Sequence, residues 1–110
     1  MPYILKLKHY FESSHQLLGH DGPCGRQHGH RWEVGVEIET DRLQDDMVAD
    51  FDSIKRIIDR FDHVNLNEVV GFNPTAENLA RHLKETIDGE TGLSSEVTLW
   101  ESPTAGITYK

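Results

Sequence analysis

From Tyr3 to Phe11 the side chains alternate, with Tyr3, Leu5 and Leu7 on one side and Ile4, Lys6 and Lys8 on the other. A two-residue period is the signature of a strand. Residues 16–27 break it with Gly19, Gly22, Pro23 and Gly25 and read as a loop. Alternation returns from His28 to Thr40: Trp32, Val34, Val36 and Ile38 share one face, while Arg31, Glu33, Glu37 and Glu39 favour the other. Residues 41–46 are a polar turn. Helical spacing follows. Asp50 is placed to cap a helix over 51–61, with Phe51, Ile54, Ile58 and Phe61 as its apolar stripe. Residues 62–71 read as a connection holding Asn65 and Asn67. Pro74 and Thr75 open a second helix over 75–88, with Leu79, Leu83 and Ile87 on one face and Gly89 and Gly92 to stop it. Residues 96–101 and 106–109 read as two closing strands around a Ser102–Pro103 turn.

The order strand, strand, helix, helix, strand, strand predicts an α+β domain with a four-stranded antiparallel sheet. At 110 residues the chain has room for one such domain, spanning 1–110. The arrangement leaves two sheet edges, and one layer of two helices covers one face only. Oligomerisation that pairs the edges would relieve both exposures.

Composition narrows the picture. With 36% hydrophobic and 27% charged residues the chain suits a soluble globular protein. No apolar run approaches the roughly 20 residues of a membrane-spanning helix. The N-terminal MPYILKLKHY carries lysines within its apolar stretch and does not read as a signal peptide, so the expected compartment is the cytoplasm. The formal net charge of -8 argues against broad nucleic-acid binding. An anionic substrate would then need a local basic patch, for which Lys6, Lys8, Arg26, Arg31 and Lys55 are the nearest residues.

Histidine spacing suggests chemistry. His28 and His30 are two apart on a predicted strand, so both imidazoles project from one face and can reach one point. His15 closes the first strand, and antiparallel pairing would bring it alongside. Three histidines match a zinc site with an open fourth position; two unrelated surface histidines are the ordinary alternative. Cys24, the lone cysteine, precedes His28 by four residues in a glycine-flanked loop. It can be a reactive thiol with its pKa lowered by Arg26, Arg31 and the metal, a fourth ligand closing a structural site, or an inert buried residue. Asp62 and His63 are adjacent; an Asp-His pair can orient an imidazole for proton transfer, but both types are also common where helices end. Glu101 is in phase with Val97 and Leu99. It is either an inward carboxylate that needs a partner or a strand end turned to solvent.

Six segments occur together and in order: FESSH (11–15), CGRQHGH (24–30), VADFDSIK (48–55), FDHVNLN (61–67), NPTAENLA (73–80) and the late Glu101. Together they resemble the 6-pyruvoyl-tetrahydropterin synthase and 6-carboxy-tetrahydropterin synthase family over nearly the whole chain. The compact Cys-x-x-x-His-x-His is similar to the carboxy branch, which serves queuosine and other deazapurine synthesis. The resemblance implies the tunnelling fold, with subunits joining sheets into a barrel as a homohexamer of two trimers and sites between subunits. It also implies zinc on His15, His28 and His30, a catalytic proton-transfer set of Cys24, Asp62 and His63, and Glu101 as the anchor of a pterin. The implied substrate is the small-molecule 7,8-dihydroneopterin triphosphate. A pyruvoyl synthase and a non-catalytic zinc-binding module with Cys24 as fourth ligand are the competing readings.

Overall fold

The structure, a computed structural model, describes residues 2–110. Strands β1 (Tyr3–His15) and β2 (His28–Thr40) pair antiparallel along their whole length, from Tyr3↔Thr40 to His15↔His28. Helices α1 (Phe51–Asp59), α2 (Leu66–Val69) and α3 (Ala76–Thr91) follow, then β3 (Ser95–Ser102) and β4 (Ala105–Tyr109). The sheet order is β1-β2-β3-β4, with every neighbouring pair antiparallel. This is the predicted α+β architecture.

The alternation in sequence fixes which side of the sheet is buried. Leu5, Leu7 and Phe11 of β1, Trp32, Val34, Val36 and Ile38 of β2, and Val97 and Leu99 of β3 lie on one face. Ile54, Ile57 and Ile58 of α1 and Leu79, Leu83 and Ile87 of α3 join them in one core. Among the described residues no helix covers the opposite face. It presents Ile4, Tyr10 and Trp100 to solvent, and the Arg31 guanidinium lies 3.9 Å over the Tyr10 ring.

Caps explain where the helices begin and end. Asp50 accepts from the Asp52 N–H at the start of α1, and Thr75 accepts from the Asn78 N–H at the start of α3. The end of α3 differs from expectation. The helix runs through Gly89 to Thr91 and stops at Gly92, whose φ of 72° is the left-handed cap conformation that favours glycine. Asp88 accepts from the backbone N–H and hydroxyl of Ser95, while Lys84 bridges Asp88 and the Ser95 carbonyl. Residues 89–91 are thereby held close to the start of β3 and keep their helical turn. Helix α1 is shorter than the predicted 51–61, because residues 60–63 turn toward β1. Phe51 is also 54% exposed, since the buried stripe runs through Ile54, Ile57 and Ile58 instead. The one-turn α2 lies within residues 62–71, where a plain connection is expected; Asn65 caps it by accepting from the Asn67 N–H.

Candidate metal centre

The β1–β2 ladder sets His15 opposite His28 and Ser13 opposite His30, all on the helix-covered face. His15 is fully buried. Its Nδ1 lies 2.8 Å from the Pro74 carbonyl oxygen, in the segment leading into α3. His28 Nδ1 lies 2.7 Å from the Arg26 carbonyl oxygen. A carbonyl only accepts, so both Nδ1 atoms carry the proton and both Nε2 atoms carry a lone pair. Yet the two Nε2 atoms are 2.9 Å apart. Two lone pairs at that separation repel unless positive charge lies between them.

A proton could serve that one pair, but more converges on the same point. His30 Nε2 is buried with no hydrogen-bond partner, and the Glu101 Oε1 atom is 2.9 Å from it without the alignment of a hydrogen bond. The same carboxylate oxygen is 3.4 Å from His15 Nε2. One donor atom from each of His15, His28, His30 and Glu101 falls within 4.8 Å of the others. Three imidazole nitrogens and a carboxylate facing one point fit a divalent ion of zinc type, for which nitrogen and oxygen are ordinary ligands. Burial lowers the pKa of His30, and its two neighbouring histidines add to that, while Glu101 opposes it. A histidine kept neutral at physiological pH is in the ligating form. Trp32 forms the floor, with ring centroids 5.0 Å from His15 and 5.3 Å from His30 in edge-to-face contact.

Cys24 lies outside this group of four, in a single 3₁₀ turn, Pro23–Gly25, and is half-buried. The loop that carries it closes on itself. Leu17 N–H donates to the Cys24 carbonyl at 2.9 Å, and Gln16 Nε2 donates to the Gly25 carbonyl at 2.8 Å. A Cβ at Gly25 would stand 1.8 Å from the His20 carbonyl oxygen, so only glycine fits there. Three asparagines pin the loop and its flanks from outside. Asn67 exchanges hydrogen bonds with the backbone of Gln16, Asn73 accepts from the Leu18 N–H, and Asn65 accepts from Gln27. Sequence reasoning noted two of these asparagines without giving them this work, and it missed the Pro74 and Arg26 carbonyls that orient the histidines. Backbone carbonyls leave no trace in sequence; the asparagines did, since they fall within the FDHVNLN and NPTAENLA segments.

Asp62 and His63 occupy the open edge of β1 rather than the metal-facing surface. Asp62 Oδ1 accepts from the Glu12 N–H at 2.8 Å, the His63 N–H donates to the Glu12 carbonyl at 2.6 Å, and Ser14 N–H donates to the Val64 carbonyl at 3.1 Å. Asp62 Oδ2 sits 2.8 Å from His63 Nδ1. The hydrogen bond from Glu12, with His63 adding to it, holds the Asp62 carboxyl below the usual range. His63 reaches this position with a φ of 56°, uncommon outside glycine, and its side chain is 78% exposed. The pair is thus preassembled on the surface, and among the described residues its side-chain partners do not include Cys24 or the histidine triangle.

Residues 4–110 match the family described as 6-pyruvoyl tetrahydropterin synthase. The 6-carboxy-5,6,7,8-tetrahydropterin synthase of Synechocystis sp. is 33% identical over 120 residues, covering 97% of this chain and 92% of that protein. The enzyme of the same name from Haemophilus influenzae is 30% identical over 131 residues, covering 91% of this chain and 93% of that protein. The solved structure of Caenorhabditis elegans 6-pyruvoyl tetrahydropterin synthase superposes with a TM-score of 0.84 at 25% identity, covering 100% of this chain and 96% of that one.

Proposed function

The chain belongs to the 6-pyruvoyl tetrahydropterin synthase family, and from that premise we propose that it is a zinc-dependent 6-carboxy-5,6,7,8-tetrahydropterin synthase. It would convert 7,8-dihydroneopterin triphosphate and water to 6-carboxytetrahydropterin, acetaldehyde and triphosphate, in the cytoplasm and in service of queuosine (deazapurine) synthesis. The observation that carries this reading is the convergence of three imidazole nitrogens on one point, in a chain whose lone cysteine lies in the loop joining the two strands that bear them. The branch is supported by the compact Cys-x-x-x-His-x-His and by the names of the relatives that span nearly the whole chain.

His15, His28 and His30 would hold the zinc, which supplies Lewis acidity toward the hydroxyls of the substrate side chain. The Pro74 and Arg26 carbonyls keep two of these imidazoles in the ligating tautomer. Cys24, as thiolate, removes a proton from the side chain. His63, oriented by Asp62, is the second proton-transfer group. Glu101 accepts the ring N–H and the exocyclic amine of the pterin side by side.

Because Asp62 and His63 face outward, the reading extends to assembly: the pair serves the site of a neighbouring subunit in a homohexamer of two trimers. The bare sheet face and the open β4 edge support such an assembly, with the chain working as one pterin synthase-like domain.

Incubating the purified protein with 7,8-dihydroneopterin triphosphate and identifying the products tests the proposal. Acetaldehyde together with 6-carboxytetrahydropterin is the expected result. Triphosphate released without acetaldehyde would move the assignment to the pyruvoyl synthase, which the Caenorhabditis elegans structural likeness keeps as the second reading. Absence of triphosphate release would overturn both.

A further inference from the structure

We propose that Glu101 alternates between two partners: it closes the histidine site as a fourth metal ligand while the pterin pocket is empty, and it leaves that site to grip the pterin when one binds. The inference rests on the zinc and pterin-anchor reading given above.

Glu101 is close enough for the first role. Its Oε1 atom stands 2.9 Å from His30 Nε2 and 3.4 Å from His15 Nε2. His15 gives its only proton to the Pro74 carbonyl, and His30 Nε2 makes no hydrogen bond. The His15 Nε2 lone pair, 3.4 Å away, repels this carboxylate oxygen unless a cation lies between them, and His30 Nε2, with no aligned hydrogen bond to the same oxygen, is free to offer a lone pair to that cation. An ion that reconciles the three imidazoles therefore draws in the carboxylate too, and the fourth position is filled by the chain itself.

Its backbone permits the second role. The last pair between β2 and β3 is Glu33↔Trp100, so Glu101 lies beyond that ladder. On the other side, pairing with β4 steps from Trp100↔Gly106 to Ser102↔Ala105 and passes over Glu101. The residue thus sits in a bulge, paired on neither side, and bulges are where a strand can re-aim a side chain. Its side chain is 29% exposed, at the rim of the site rather than under it.

The chemistry requires a choice between the two roles. A carboxylate ligand occupies the position that substrate oxygens need and neutralises part of the ion's charge. The same oxygens are the bidentate acceptors for a pterin's paired donors. Pterin binding would then open the metal site by withdrawing its fourth ligand, so Lewis acidity is exposed only when a pterin is in place. By linkage the coupling is reciprocal: whatever tightens the Glu101–metal contact weakens pterin binding by the same factor.

Cobalt(II) in place of zinc gives a visible spectrum that reports the ligand set. The probe is unsubstituted pterin, which has the ring N–H and the amine but no side-chain oxygen to reach the metal. Pterin should change the cobalt spectrum of the native protein and leave that of Glu101→Gln unchanged. In chelator competition without pterin, Glu101→Gln should hold zinc about tenfold or more weakly, at least the loss typical of a mutated outer-shell partner. If fluorescence shows pterin bound to the native protein while its cobalt spectrum stays constant, the alternation is wrong and the anchor reading stands. If Glu101→Gln retains native zinc affinity, the fourth-ligand role is wrong. If pterin does not bind the native protein at all, the anchor reading fails, and the alternation fails with it.

Discussion

On the helix-covered side of β1, His15, His28 and His30 stand with a fully buried member, carbonyl partners for two Nδ1 atoms and an aromatic floor. Along the open edge of the same strand, Asp62 and His63 are joined to each other and to the backbone of Glu12, with the imidazole 78% exposed. Both groups are preorganised, but toward different ends. The first gathers one donor atom from each histidine at one position and needs only an ion to be complete. The second fixes an imidazole tautomer and then presents it outward, which is useful only if a reacting group comes to it. Completeness within one chain therefore separates the ligand set from the proton-transfer pair.

The largest expected effect tests the first half of that contrast. A double variant, His28→Ala with His30→Ala, should lose the bound metal, taking metal analysis from about one ion per chain to near none, since removing two of three imidazoles leaves too few donors to hold a zinc-type ion. Full metal retention would remove the interior group from consideration as a ligand set.

The next effect tests the second half. Cys24→Ala and His63→Ala should each keep the metal and lose turnover by about 10²–10⁴-fold, the usual contribution of a proton-transfer group. If the exposed pair completes the site of a neighbour, mixed assemblies of the two inactive variants should recover a measurable fraction of native activity. Two variants that stay inactive when co-assembled, although mixed oligomers form, would return Asp62 and His63 to the site of their own chain and dissolve the contrast.

The smallest effect concerns the geometry of the pair. The Glu12 N–H, and after it His63, hold the Asp62 carboxyl below its usual pKa. A depressed folded-state pKa gives stability that is present above the unfolded value, about 3.9, and is lost as pH falls through the lower folded value. The thermal midpoint of native protein minus that of Asp62→Asn should accordingly be positive near neutral pH and shrink below about pH 4. A difference that stays constant across that range would mean that the carboxylate's charge contributes nothing to holding the edge.

Much of this was legible in sequence, unevenly and for identifiable reasons. Strand parity put Trp32 with Val34 and Val36 and, carried two residues further each time, put His30 and His28 on the same face. The fold and the triangle therefore came from one reading of β2. Glu101 was legible as in phase with Leu99 but not as a contact of His15 and His30, because the bulge that frees it depends on where β4 pairs. The length of α3 was misjudged at Gly89 because the Lys84–Asp88–Ser95 network is a tertiary contact and a glycine alone does not end a helix. The edge position of Asp62 and His63 rests on a left-handed histidine, a conformation that residue identity does not announce.

The full-length pairing of β1 with β2 means that the fold and the ligand set share a single point of failure. Slipping β2 by one residue would turn Trp32, Val34 and Val36 out of the core, and would turn His28 and His30 away from His15 at the same moment. A divalent ion held by those three side chains would bind only chains in the correct register. By mass action it would then draw slipped chains back to that register. In that sense a bound ion would act as a proofreader of the sheet before taking part in any reaction.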